Sequence, residues 1–201
     1  MNTIILASQS PRRQQLLQWA EIPFEVRVSG SAENVPAGLS PVEAAEHIAC
    51  DKALSVREQL ETNLASTGGY TIIAADTIVV LGNRIIGKPS DRLEAINTLS
   101  QLSGKTHEVV TGVCLLSATA QKVFYEETSV SFEVLHRSQI EHYVDHYQPY
   151  DKAGAYAIQE WIGVVGIRSI RGDFYNVMGL PVSRLLKELR QFGALPPSPG
   201  S

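Results

Sequence analysis

Apolar positions along the chain change their period several times, and each change marks an element. Residues 3–7 form a short continuous apolar run that reads as a buried strand. Ser8-Gln9-Ser10-Pro11 supplies a helix start, with Ser10 as N-cap and Pro11 at the first helical position, and this helix continues through Leu16, Leu17 and Trp19. Residues 24–28 alternate as a second strand. Ser40-Pro41-Val42-Glu43 has capping-box spacing and opens a long helix to about Leu60, after which 62–69 is a polar loop. The run 71–81 is nearly unbroken and of strand type, and Gly82-Asn83 turns it into a short return over 84–86. Helix signals resume over 90–102. Residues 106–116 and 122–135 alternate across a polar turn, which predicts an antiparallel hairpin. A second capping box, Ser138 to Glu141, opens a helix to about Tyr147; a strand is predicted over 164–170 and a last helix over 181–192. No internal repeat is visible, and the tail 194–201, rich in Pro and Ser, is expected to be disordered.

Strands mixed with helices, with at least one antiparallel hairpin, predict an α/β fold with a mixed central sheet flanked by helices. A chain of 201 residues is expected to form a single domain, and at this length about 70% of the unfolded surface can be buried. Apolar residues make up 44% and charged residues 19%, an ordinary globular composition. The net charge of −4 gives no global attraction for nucleic acid or membrane, so any polyanion must be held by locally concentrated cations. The N-terminus reads as a first strand rather than a signal peptide, and no apolar stretch reaches the length of a membrane span. The expected location is the cytoplasm. Cys50 and Cys114 have no Cys or His at metal-ligand spacing and read as reduced thiols.

Several positions carry chemistry. In Ser8-Gln9-Ser10-Pro11-Arg12-Arg13 a strand runs straight into a helix N-terminus, where free N–H groups and two arginines can take an anion; a capped surface helix with solvated arginines accounts for the same residues. Asp76 sits inside the apolar run 71–81, where a lone carboxylate must pair, bind metal or act in catalysis. Lys52 falls on the apolar stripe of its helix with Ala45, Ile48, Ala49 and Val56, which fits either a cation aimed at a site or one that snorkels past the core edge. Lys88 lies between Gly87 and Pro89 and can be held rigidly at a sheet edge, or be an ordinary turn lysine. In Asp151-Lys152-Ala153-Gly154-Ala155-Tyr156, small residues permit close backbone approach, and Gln159 offers paired donor and acceptor groups to a base edge; a tight structural turn is the plainer reading. Glu33 by itself is a loop acid, and His107 reads as a strand-edge residue rather than a ligand.

Together these residues make one inventory: cations for phosphates, acids for a hard metal, and an amide near a base. The ordered motifs L-A-S-Q-S-P-R-R (6–13), A-D-T-I-V-V (75–80), G-K-P (87–89), H-E-V-V-T-G-V (107–113), D-K-A-G-A-Y-A-I-Q (151–159) and V-M-G-L-P (177–181) closely resemble the Maf family of nucleoside-triphosphate pyrophosphatases. The resemblance implies an elongated, two-lobed Maf/ITPase-like fold over 1–193 with a central cleft, a homodimer, and a divalent metal, Mg²⁺ or Mn²⁺. It implies cleavage of the α–β phosphoanhydride of a nucleoside triphosphate with release of pyrophosphate, while the overall acidity and the lack of an aromatic–basic stripe or a membrane span lead to no nucleic acid or membrane partner being expected. Asp76 matches the family's catalytic proton acceptor, and Ser8, Arg13, Glu33, Lys52 and Lys88 match its cleft residues; from their chemistry, Glu33 and Asp76 are expected to help hold the metal, and Lys52 and Lys88 to stabilise charge on the leaving pyrophosphate.

Arg12, Thr77 and Gln159 occupy the family's three substrate-class positions and resemble the branch acting on dTTP and UTP, with modified pyrimidine nucleotides as further substrates. The branch acting on 7-methyl-GTP has Trp, Gln and Glu there and is the alternative within enzymes. A non-hydrolytic nucleotide-binding regulator is the alternative outside them, and the duty is either housecleaning of nucleotides or arrest of cell division. Two departures stand out: Ser31-Ala32 precede Glu33 where the family has an acid, and Gly172-Asp173-Phe174 replaces the usual G-S-Y.

Overall fold

A computed structural model of the chain describes residues 3–30, 36–62 and 69–196. Glu33 and the greater part of the tail, 197–201, lie outside the described residues. The strands are β1 (Thr3–Leu6), β2 (Glu25–Val26), β3 (Tyr70–Leu81), β4 (Arg84–Ile86), β5 (Thr106–Leu116), β6 (Gln121–Phe132) and β7 (Ile167–Arg171). The helices are α1 (Pro11–Trp19), α2 (Pro41–Thr62), α3 (Arg92–Leu102), α4 (Arg137–Tyr147), α5 (Trp161–Gly166), α6 (Phe174–Met178) and α7 (Val182–Gln191). Among the described residues no helix is long and apolar enough to cross a membrane.

Among the described residues a seven-stranded sheet runs in the order β2-β1-β3-β5-β6-β7, with β4 paired to β3. It is mixed: β1 pairs in parallel with β2 and β3, while β3–β4 and β6–β7 are antiparallel. The chain divides into two compact units, the first comprising Met1–Asp76, Thr111–Glu126 and Gly179–Ser201 and the second Thr77–Val110 and Glu127–Met178.

In the first unit, α2 lies on the sheet through residues that obey two different periods. Ile5 and Ala7, Ile72 and Ala74, and Cys114 and Leu116 are spaced by two and share a sheet face, and Ala49, Ala53 and Val56 are spaced by four and three on the helix that covers it. The helix surface is built of alanines, so the backbone comes close. A Cβ on Gly112 of β5 would lie 2.4 Å from the carbonyl carbon of Ala45. The start of α2 is the reciprocal box expected: Ser40 N donates to the Glu43 carboxylate at 2.8 Å and Glu43 N to Ser40 Oγ at 3.3 Å. The Ser40 hydrogen bonds hold the Glu43 carboxyl below its usual range. Cys50 and Cys114 are free thiols in this core region, the first partly and the second fully buried.

In the second unit, α3 packs on α4 and on the tight turn Ala153–Ala155. Asp91 caps α3 by accepting from Glu94 N at 2.8 Å. His107, expected at a strand edge, is instead 1% exposed and stacked edge-to-face with Phe132 and Tyr156. Phe132 of β6 and Tyr156 of the segment 155–158 enclose it, a contact that its neighbours in sequence do not reveal.

Three local expectations are corrected. Ser10 stands at the N-cap of α1, yet its side chain makes no capping bond. The helix expected from the Ser138–Glu141 box begins earlier, at Arg137, because Gln139 Oε1 accepts from the backbone N–H of His136 at 2.8 Å. The strand expected over 164–170 is helical up to Gly166. There Glu160 O accepts from Gly163 N at 2.9 Å, and Gly163 passes so close to Ile158 that a Cβ would lie 1.7 Å from its carbonyl oxygen. Only β7 remains of that strand, with Val130 opposite Ile170.

Candidate active site

The parallel pairing of β1 with β3 ends at Leu6 opposite Ile73, shortly before Ser8 on one chain segment and Asp76 on the other. Leu6 stands opposite Ile73, and Ala7 N donates to Ile73 O at 2.8 Å, so Ser8 leaves β1 beside the stretch of β3 that leads into Asp76. Neighbouring strands lie about 4.8 Å apart, and ligands gather at the carboxyl ends of parallel strands.

At the end of β1, Ser8 is 8% exposed, and its Oγ accepts from Ser10 N at 3.2 Å and from Arg13 Nη1 at 3.3 Å. Arg13 is fastened from the other side as well, its Nε donating to Gly179 O at 2.8 Å. A guanidinium held at two edges loses little further freedom on binding an oxyanion. The side chain that organises this turn is Ser8, whose Oγ accepts from Ser10 N, while α1 opens with Pro11, whose fixed φ suits the first helical position. Arg12, one residue before Arg13, is half-buried in the first turn of α1.

At the end of the buried stretch of β3, residues 71–75 are buried and Asp76 and Thr77 are partly open, before burial resumes at Ile78. Asp76 therefore sits at a break in the apolar run. Its Oδ1 accepts from Lys52 Nζ at 2.7 Å, with the two side chains 14% and 13% exposed. Lys52 lies on the same face of α2 as Ala45 and Ala49, so the packing of alanines on the sheet is what delivers the ammonium to the carboxylate. A partly buried ion pair of this kind is weak evidence for stability, because desolvation offsets much of the attraction.

The second unit carries the remaining positions. Thr77 follows on β3. The β3–β4 register runs from Leu81 opposite Arg84 to Val79 opposite Ile86, so the chain leaves β4 through Gly87-Lys88-Pro89 heading towards the Thr77 end of its partner strand. Lys88 is exposed, and the turn is tied down by Gly154 N donating to Gly87 O at 3.1 Å. Gly154 has φ +72 and a Cβ there would lie 3.1 Å from Val79, which gives the small residues of 153–155 their reason. Gln159 is exposed at the end of the same segment.

The structure thus joins Ser8 with Arg13 and Lys52 with Asp76 in the first unit, and links the turn of Lys88 to the segment of Gln159 in the second. Among the described residues no cluster of three or more His, Cys, Asp or Glu could hold a metal. The donors that remain are hard oxygens, the Asp76 carboxylate above all, and that chemistry fits Mg²⁺ or Mn²⁺, which take few protein carboxylates and complete their shell with water and phosphate oxygens.

Sequence reasoning missed the Gly179 carbonyl that orients Arg13, and the roles of Lys152, Tyr143 and Glu160. Lys152 is 8% exposed between Asp151, at 2.8 Å, and Glu160, at 3.6 Å. Its signal was a lone lysine among small and apolar residues. Asp173, a departure from the G-S-Y pattern, acts locally, its Oδ1 accepting from Tyr175 N at 2.7 Å at the start of α6. Serine at that place could do the same.

The family model described as Maf-like protein matches residues 3–192. A dTTP/UTP pyrophosphatase of Bacteroides thetaiotaomicron is 46% identical over 189 residues, covering 94% of this chain and 95% of that protein. The protein of the same name from Porphyromonas gingivalis is 44% identical over 191 residues, covering 94% of each. The one from Bacillus thuringiensis is 45% identical over 192 residues, covering 96% of each.

Proposed function

Since the chain belongs to the Maf family, we propose that it is a nucleoside triphosphate pyrophosphatase that hydrolyses dTTP and UTP to the monophosphate and diphosphate. The observation that carries the chemistry is the Lys52–Asp76 pair at 2.7 Å, on the strand beside the Ser8–Arg13 turn. The names of relatives at 44–46% identity support the substrate class.

In this reading Arg13, Lys52 and Lys88 neutralise the phosphate chain, while Ser8 and the N–H groups opening α1 contact a phosphate oxygen. Such local cations are needed because the protein is itself acidic: two unit charges about 4 Å apart interact by roughly 4 kcal/mol at an effective dielectric of 20. Asp76, its carboxylate directed by Lys52, accepts the proton of the water that attacks the α-phosphorus. The α–β P–O bond breaks and diphosphate leaves with its charge met by the lysines. Asp76, together with Glu33, would hold the Mg²⁺ or Mn²⁺ ion. When bound, that ion acts as a Lewis acid on phosphate oxygens. Arg12, Thr77 and Gln159 contact the base and favour a pyrimidine. The active species is taken to be a homodimer, which sedimentation velocity measures directly.

The test is a panel of nucleoside triphosphates with Mg²⁺ or Mn²⁺, with diphosphate and orthophosphate measured separately. Turnover of dTTP and UTP releasing diphosphate, stopped by EDTA and restored by either metal, is expected. Release of orthophosphate alone, or binding without turnover, would overturn the reading.

A further inference from the structure

We propose that Glu160 and Tyr143 are positioning residues for base selection, clamping the turn that presents Gln159. The inference rests on the reading of Gln159 as a base contact.

Tyr143, on α4, is 0% exposed, and its phenol is used twice. It accepts from Ala157 N at 3.1 Å and donates to Glu160 Oε2. One hydroxyl therefore joins the two residues that end the turn 157–160, and Glu160 N donates to Ala157 O at 3.1 Å, closing the same loop through the backbone. The other Glu160 oxygen lies 3.6 Å from Lys152 Nζ, which Asp151 holds at 2.8 Å. Ala157 and Ile158 are buried and Glu160 is half-buried, while Gln159 between them is exposed.

A buried phenol and a buried ammonium are costly to maintain, and an ion pair in such a place contributes little net stability. What the network does achieve is geometric. A glutamine side chain has several rotatable bonds, so where its amide can reach is governed by the direction of its Cα–Cβ bond. That direction is fixed here by restraining the residues on both sides of it. An amide presented in one place can match the hydrogen-bonding edge of one base better than another. An amide on a loose turn loses both affinity and discrimination.

The experiment compares Glu160→Ala, Glu160→Gln and Gln159→Ala with the wild type, using UTP, dTTP and CTP and measuring kcat and KM for each, with the melting temperature of each protein. For Glu160→Ala the KM for UTP and dTTP is expected to rise about 5- to 10-fold, as for loss of one neutral hydrogen bond from the Gln159 amide. Its kcat should stay within about twofold, as uniform binding requires, and its preference over CTP should fall. Glu160→Gln keeps an acceptor for Tyr143 and should restore most of the preference. If Glu160→Ala lowers kcat/KM equally for all three nucleotides, the residue is merely structural and the inference fails. It also fails if Glu160→Ala matches the wild type while Gln159→Ala loses discrimination. If Gln159→Ala itself keeps the wild-type preference, the reading of Gln159 falls, and the inference falls with it.

Discussion

Gly112→Ala tests how the fold delivers Lys52 to Asp76. The added methyl carbon would lie 2.4 Å from Ala45 C, 2.5 Å from Glu46 N and 2.6 Å from Ala45 O, all atoms of the α2 backbone. Unstrained heavy-atom contacts lie near 3.5–4.0 Å, so α2 must retreat by about 1 Å at this point. Overpacking of this kind costs about 1–3 kcal/mol. For a chain of this length each kcal/mol shifts the melting temperature by about 2–4 °C, so a drop of roughly 2–12 °C is expected. The functional effect follows from helix geometry. Lys52 lies seven residues beyond Ala45, about two turns along the same face. A shift of about 1 Å at a positioned group can cost about 100-fold in rate, so kcat is expected to fall about 10- to 100-fold while the protein remains folded at 25 °C. The assay is UTP turnover with diphosphate detection, run beside differential scanning calorimetry. Ala45→Gly should not rescue the variant, because the atoms met are backbone. A Gly112→Ala protein with wild-type melting temperature and wild-type kcat/KM would refute the claim that this close approach sets the position of Lys52.

Asp76→Asn keeps an oxygen for Lys52 to donate to but loses the proton acceptor; kcat is expected to fall by about 100-fold or more, with the far-UV circular dichroism unchanged, and near-normal turnover would remove Asp76 from the mechanism. Burial pushes the His107 imidazole down to about 4, so the folded protein keeps it neutral while the unfolded chain takes up a proton below its ordinary value of 6.5. The stabilising contribution is therefore full above pH 6.5 and is lost as pH falls towards 4, amounting to about 3 kcal/mol. His107→Gln, which retains a hydrogen-bonding group for Tyr156, should show a flatter fall of melting temperature between pH 7 and pH 4.5, and parallel curves would refute the assignment. Asp173→Ala removes the acceptor at the start of α6 and should cost about 1 kcal/mol, whereas Asp173→Ser should restore most of it; equal urea midpoints for the two variants would show that the cap is without effect.

The local signals were legible because they act over a few residues. The Ser40–Glu43 box, the apolar runs of β1 and β3 and the glycine turn after Leu81 are each specified by neighbours in sequence, and the structure forms each of them. The motif order and the identity of the chemical groups were legible in the same way, down to a carboxylate in a greasy strand and a lysine on a helix's apolar stripe. Where those groups meet is a different matter. Lys52 and Asp76 are 24 residues apart, and Arg13 and Gly179 are 166 apart, so their pairing depends on sheet register and on alanines letting α2 approach Gly112. The same holds for the misread segments. Residues 164–166 have a strand-like pattern but are drawn into a helical turn by Gly163 closing on Ile158, and His107 has the neighbours of an edge residue but is enclosed by Phe132 and Tyr156. Hydrophobic period and capping chemistry are properties of a short stretch of chain and survive in the sequence. Burial, register and the partner of a charged group are properties of the whole packing, because their energies depend on which distant surfaces exclude water together, and only the folded chain decides them.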